Sequence, residues 1–295
     1  MSIRTLTKLR RRDLLGLLIG GFSAPTKSAI EYQRLRYFPA GPIYEYRWEL
    51  LALALARTQL PNDLMPKLEP YDESRQPEQR RAELLLQEGR IDVLALGTNA
   101  EREANLLPIR IDILRGIIGY RVLFIRAGNR ERIARIRAKE LRKELLFGLN
   151  SQWADLPIMR ENGFQVEAAT GYESLFAMLE SGRFDAFPRG LNEAERELKE
   201  RQASYPQLVI EKTKALYIPY PVYFWVRKDS RALADRIQRG LRAALSDGSF
   251  RQLFIRHHEQ EINELKQHPR QVVYLKNKLL VAGVEAPDTT WWWPR

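Results

Sequence analysis

From Tyr32 onward the chain alternates short apolar runs with stretches of helical period, and this alternation limits the folds open to it. Tyr46–Thr58 sets Leu50, Leu51, Ala54 and Leu55 at helical spacing, and Pro77–Glu88 repeats the pattern with Leu84 and Leu85 before Gly89 supplies a stop. Ile91–Leu96 and Tyr120–Arg126 are short and apolar throughout, as strands buried on both faces are. Further strands are expected at Leu145–Gly148, Phe164–Ala168, Ala186-Phe187, Leu208–Lys212 and Val222–Arg227. Helices are expected at Ala154–Asn162, Tyr172–Ser181, Asn192–Ala203, Arg231–Ser246 and Ser249–His257. Such βα alternation predicts an α/β protein with largely parallel sheets flanked by helices. Sheets of that kind present ligand sites in the loops beyond their carboxyl ends, here Gly97–Glu103, Gly148–Trp153 and Pro188–Glu193.

With 295 residues, 44% of them hydrophobic, the chain can build two lobes or one large domain. It has no cysteine, which excludes thiol nucleophiles, zinc–thiolate sites and disulfides. The net charge of +11 raises the question of nucleic acid, but a little under half of it lies in residues 1–29. Beyond them the charges mix, as in Glu193–Arg201, which reads as a solvated helix face rather than a basic platform. No nucleic-acid partner is expected.

Catalysis would need a nucleophile, an acid–base pair or a metal in position. The three histidines, His257, His258 and His268, share one stretch without metal-ligand spacing, and the adjacent pair reads as solvated. No phosphate loop, nucleophile elbow or His-Glu-x-x-His occurs. The expectation is a protein that is not an enzyme, with no catalytic residue, metal or cofactor.

Met1–Ala29 reads as an export signal: a basic start, the apolar run Leu14–Phe22, then small residues to Ala29. That run is shorter than the roughly 20 residues a membrane span requires. Arg11-Arg12-Asp13-Leu14-Leu15 is also similar to the twin-arginine motif, so either export route remains open.

Three stretches carry a family likeness: Ile91–Arg102, Gly171–Ala186 and Asp247–Phe254. In that order, behind an export signal, they resemble the periplasmic solute-binding proteins of family 3, receptors for polar amino acids that serve ABC transporters. The resemblance runs from about Tyr32 to His258 and implies a divergent member with a two-lobed type II periplasmic-binding fold. It implies a first lobe of residues 30–119 plus 225–295, a second of 120–224, and hinge crossings near 119–121 and 219–224. It further implies a periplasmic monomer that holds a small-molecule ligand and works with an ABC permease or a membrane sensor.

In that family an arginine after the first motif grips the ligand carboxylate, and Arg102 matches it; the alternative is a surface ion pair with Glu101 or Glu103. Asn150, Ser151 and Trp153 fall where the family supplies donors, although Asn150 or Ser151 could equally cap the next helix. Thr98 and Tyr46 complete the implied first-lobe contacts, and Arg189 a second-lobe one. The chain departs from the family where an acidic residue should follow Asp185-Ala186, since Phe187-Pro188-Arg189-Gly190 stands there. The family's aromatic segment after the arginine is also replaced, by Leu107–Asp112. These departures point to an anionic ligand between Arg102 and Arg189 rather than an ordinary amino acid. The tail Trp291-Trp292-Trp293 is either a contact site for a partner or a strap onto the chain's own surface.

Overall fold

Strand-forming and helix-forming segments sort into two groups of sheet and helix in the computed structural model, which describes residues 34–39, 44–59, 66–71, 79–280 and 282–293. The expected export signal lies outside the described residues. Among those described, no helix is long and apolar enough to cross a membrane.

The first lobe holds β1 (Arg34–Tyr37), α1 (Glu45–Ala56), β2 (Lys67–Pro70), α2 (Gln79–Gln87), β3 (Leu94–Gly97), α3 (Ala100–Asn105) and β4 (Leu107–Ile109). β1 and β2 run parallel, and Tyr37 bridges to Val93 just before β3. The second lobe begins with β5 (Tyr120–Arg126), α4 (Arg130–Arg135), α5 (Leu141–Glu144), β6 (Leu146–Asn150) and α6 (Asp155–Glu161). It continues with β7 (Gln165–Ala169), α7 (Tyr172–Glu180), β8 (Ala186–Gly190), α8 (Leu191–Arg201), β9 (Leu208–Ile210) and β10 (Lys214–Tyr217). The chain then returns through β11 (Val222–Val226), α9 (Arg231–Ser246) and α10 (Ser249–His257), and goes on to α11 (Glu259–Gln267) and β12 (Gln271–Tyr274).

β11 lies between β3 and β4, antiparallel to both. In the other sheet the order is β12-β10-β5-β8-β6-β7, with β9 also on β5; β6 runs parallel to β7 and β8, while β5 runs antiparallel to its neighbours. One boundary needs correcting. Residues 225–295 do not all return to the first lobe, because β12 adds in parallel to β10 at the edge of the second-lobe sheet. α11 brings the chain back, held by Glu264, which pairs with Lys212 and with the buried Arg270, both at 2.7 Å.

Two connections run side by side between the lobes, β4 to β5 and β10 to β11. Ile218 N–H donates to Gly119 O and Ile113 N–H to Val222 O, each at 2.9 Å. Asp112 clips them together: its carboxylate accepts from Leu114 N and Gly116 N on one connection and from Val222 N on the other, at 3.1, 2.7 and 2.9 Å. Burial pushes this carboxyl up to about 6, against the three N–H bonds that favour its charged form. The turn it organises is tight, with Arg115 at φ 47° and Gly116 at φ 75°.

The first-lobe helices pack closely where α9 crosses α1. A methyl group built on Gly240 would sit 1.9 Å from Ala54 O, a backbone atom that cannot step aside. Gly240→Ala would gain about 1 kcal/mol of helix propensity, but the clash forces the two helices apart. A net loss of about 2 kcal/mol or more is expected, read as a lower urea midpoint. A midpoint equal to that of the parent would show that α1 and α9 are less tightly engaged than the structure has them.

Candidate functional site

The loops at the carboxyl ends of β3, β6 and β8 carry most of the side chains singled out from the sequence. At the end of β3, Asn99 caps α3 by accepting from Arg102 N at 2.7 Å. Arg102 itself is turned inward and buried. Its Nε donates to Glu83 Oε1 on α2 at 2.8 Å and its Nη1 to Gly97 O at 2.5 Å. Neither Glu101 nor Glu103 is the ion-pair partner found. Thr98 Oγ1 donates to Glu103 Oε1 at 2.8 Å, and that carboxylate also takes both Nη atoms of Arg110, at 2.9 and 2.7 Å.

At the end of β6, Asn150 is occupied locally. Its Oδ1 accepts from Gln152 N at 2.9 Å and its Nδ2 donates to Thr170 O at 3.1 Å, which is turn formation rather than a cap on α6. Ser151 is exposed. Trp153 is half-buried and lies nearly parallel to Phe187, with 14° between the rings. α6 starts with Asp155, whose two oxygens take Nε and Nη2 of Arg121 at 2.8 and 3.2 Å.

β8 carries Arg189 into a closed cluster. Its Nε and Nη2 fork onto Glu197 at 2.7 and 2.6 Å, and Nη2 also reaches Glu193 at 2.8 Å. The guanidinium sits 4.7 Å from the Trp153 ring centre, with Tyr172 and Phe187 each at 5.4 Å. Tyr172 Oη donates to Glu197 Oε1 at 2.5 Å. Burial acts to lower the pKa of Arg189 and to raise that of Glu197, but their mutual bonds outweigh it: the arginine is held above its ordinary value and the glutamate below.

This corrects the reading of Glu193–Arg201 as a solvated face. Glu197 is 3% exposed and points into the lobe, and α8 itself supplies the carboxylates that the sequence lacked directly after Asp185-Ala186. The available signal was the pair Glu193 and Glu197, four apart on one face of α8.

Tyr46 is buried at the back of the hinge. Its Oη donates to Ile113 O at 2.8 Å and its ring meets Phe254, His257 and His258. Burial raises its pKa well above the ordinary phenol value. His258 is also buried rather than solvated, with neither ring nitrogen in a hydrogen bond, while His257 Nε2 lies 3.1 Å from Glu49. Among the described residues no group of three His, Asp or Glu side chains is placed to hold a metal.

One residue the sequence reading passed over is Arg47 on α1. It is 7% exposed, donates through Nη1 to Ala95 O at 2.7 Å, and stands 4.3 Å above the ring of Tyr44. Burial pushes its pKa down to about 10, opposed by Tyr44, by Glu193 of the second lobe, by Tyr46 and by Asp112. Its signal was present: Arg47 shares the apolar stripe of Leu50, Leu51 and Ala54 at helical spacing.

No protein-family model and no curated protein matches the chain. Among solved structures it is similar to an ancestral arginine-binding protein bound to arginine, at 19% identity and TM-score 0.50 over 77% of this chain and 96% of that one. A double mutant of the VFT2 domain of BvgS from Bordetella pertussis matches at 18% identity and TM-score 0.51, over 76% and 93%. The ancestral amino acid-binding protein AncCDT-1, a precursor of cyclohexadienyl dehydratase, matches at 16% identity and TM-score 0.50, over 76% and 94%. Likeness at such low identity speaks for architecture: a three-stranded and a seven-stranded sheet joined by paired crossings, with the short β1–β2 pair beside the former, in the two-lobed type II periplasmic-binding fold.

Proposed function

We propose that this chain is an extracytoplasmic solute-binding protein that captures a small polar ligand between its lobes and hands it to an ABC-type transporter, without catalysing a reaction. The observation that carries this is the Asp112 clip. It ties the two inter-lobe connections at one point, so a rotation of one lobe against the other is confined to a few residues on either side of it. A ligand that touches both lobes then favours closure through contacts absent when they are apart. The expected test is a thermal-shift screen of small metabolites, in which a ligand at a hundred times its Kd adds about 2.7 kcal/mol. Small-angle scattering of the saturated protein should then show a smaller radius of gyration. A bound ligand that leaves the radius unchanged would remove the closing cleft from this reading.

A second reading, a sensor or adaptor built on the same fold, is favoured by the tail. Trp291 packs on Phe250 and Phe254 of α10, while Trp293 packs on Tyr217 and Tyr274 of the second-lobe sheet. A segment that touches both lobes beside the hinge can register their relative position. Pull-down of a permease rather than a sensor protein by the ligand-bound form would favour transport.

A further inference from the structure

We infer that Arg47 is the anchor of the ligand site and that the ligand it takes is a small carboxylate. This rests on the reading of the chain as a ligand-capturing domain and adds the identity of the anchor and of the group it holds.

The argument starts from the other buried arginines. Arg102 is paired with Glu83, Arg189 with Glu193 and Glu197, and Arg270 with Glu264. Each has its charge balanced inside its own lobe, as buried guanidinium groups require. Arg47 is the exception among the buried arginines of the described residues. Of its five N–H donors, one meets a backbone carbonyl, and no carboxylate of the described residues lies within ion-pair distance.

Its position gives the charge a purpose. The Ala95 carbonyl that orients it belongs to β3, two residues before Gly97, the last residue of that strand, and ligands of this architecture bind beyond the carboxyl ends of such strands. Glu193, at the start of α8 in the second lobe, is among the charges that act on it. The second-lobe groups are already satisfied: Arg121 by Asp155, and Arg189 by its two glutamates. Lys214, the buried lysine of that lobe, gives its Nζ to Ala134 O and Thr213 Oγ1. Among the buried guanidinium groups of the described residues, the one without a carboxylate is therefore on α1. A carboxylate fits it by forking onto the free edge of the guanidinium, with its organic part against the Tyr44 ring.

The test is calorimetric titration of the purified protein with acetate, succinate, glutamate, arginine and inorganic phosphate, alongside Arg47→Gln and Arg47→Lys. At least one carboxylate should bind. Arg47→Gln should weaken it by about 30-fold or more, the loss that follows removal of one partner from a buried charge pair, and Arg47→Lys by less. A second readout needs no ligand. Because Arg47 has no internal counter-ion, Arg47→Gln should leave the unliganded melting temperature unchanged or raised, whereas Arg102→Gln should lower it. Carboxylate binding unaffected by Arg47→Gln would overturn the inference and leave the binding function intact, as would capture of phosphate or of an uncharged ligand alone. A melting temperature that falls in Arg47→Gln as far as in Arg102→Gln would make Arg47 a structural residue and overturn it too. Failure of every probe and of the wider metabolite screen would remove both readings.

Discussion

Trp292→Ala is expected to cost about 3–5 kcal/mol, the range for removing a fully buried large aromatic, and to lower the melting temperature by something on the order of 10 °C. Trp292 is 2% exposed, its ring meets Tyr120 at an edge-on 86°, and its Nε1 donates to Arg115 O at 2.7 Å. That carbonyl belongs to the strained turn beside the Asp112 clip, so the substitution removes both an aromatic contact and the acceptor's partner at the hinge. The rest of the tail adds to the strap. Asp288 pairs with Arg115, Trp291 lies under the same guanidinium at 4.5 Å, and Pro287 covers Gly116. Ending the chain at residue 286 should therefore lose more than the single substitution. Tyr274→Ala is the contrast: Tyr274 is 65% exposed and stacks on Trp293 from outside, so less than about 1 kcal/mol is expected. Chemical denaturation followed by tryptophan emission measures all three. If Trp292→Ala melts with the parent while truncation abolishes capture of a partner, the tail is an interface rather than a strap.

The elements that the sequence made legible are those whose periodicity is dictated by burial. Arg231–Ser246 falls on α9 and Tyr120–Arg126 on β5, because one must bury a single stripe and the other both faces. β10 and β12 were not legible. Lys214–Tyr217 is buried throughout although it starts with a lysine, whose Nζ finds Ala134 O at 2.9 Å, and Gln271–Tyr274 is a short edge strand with exposed positions. The pairing that returns β12 to the second lobe is long-range and leaves no local trace. The same limit applies to the candidate site. Arg102 was singled out by the family resemblance, but its partner Glu83 lies 19 residues earlier on another helix, and nothing in the local pattern links them. Glu193 and Glu197 could have been linked to each other, four apart on one helix, but Arg189 stands on the preceding strand, where helical spacing does not apply. A mixed-sign helix was read as solvated because most such helices are. Arg47 was overlooked for a related reason: a single charge in an apolar stripe looks like a helix edge until the structure shows it 7% exposed.

Glu197 offers the sharpest test of the second-lobe cluster. Replacing it with Ala leaves Arg189 buried against three aromatic rings, with Glu193 as its remaining carboxylate and Tyr172 Oη without an acceptor. Breaking a buried pair by removing one partner costs about 3–5 kcal/mol, most of it the desolvation of the charge left behind. Glu193 contributes less than Glu197, because its side chain is 24% exposed against 3% and water can replace what it loses. Glu193→Ala should accordingly cost about 1 kcal/mol, in the range of a surface pair. The charge, and not the shape, is responsible, so Glu197→Gln should lose most of what Glu197→Ala loses. Removing both charges together reverses the logic. An Arg189→Met, Glu197→Leu double variant fills the same space with apolar groups and leaves no stranded cation, so it should recover a large part of the single-variant loss. Urea unfolding of these variants, with the two singles Arg189→Met and Glu197→Leu that complete the cycle, gives the coupling energy directly. A double variant as unstable as the sum of its singles would mean that the aromatic cage, rather than the ion pair, holds α8 against β8.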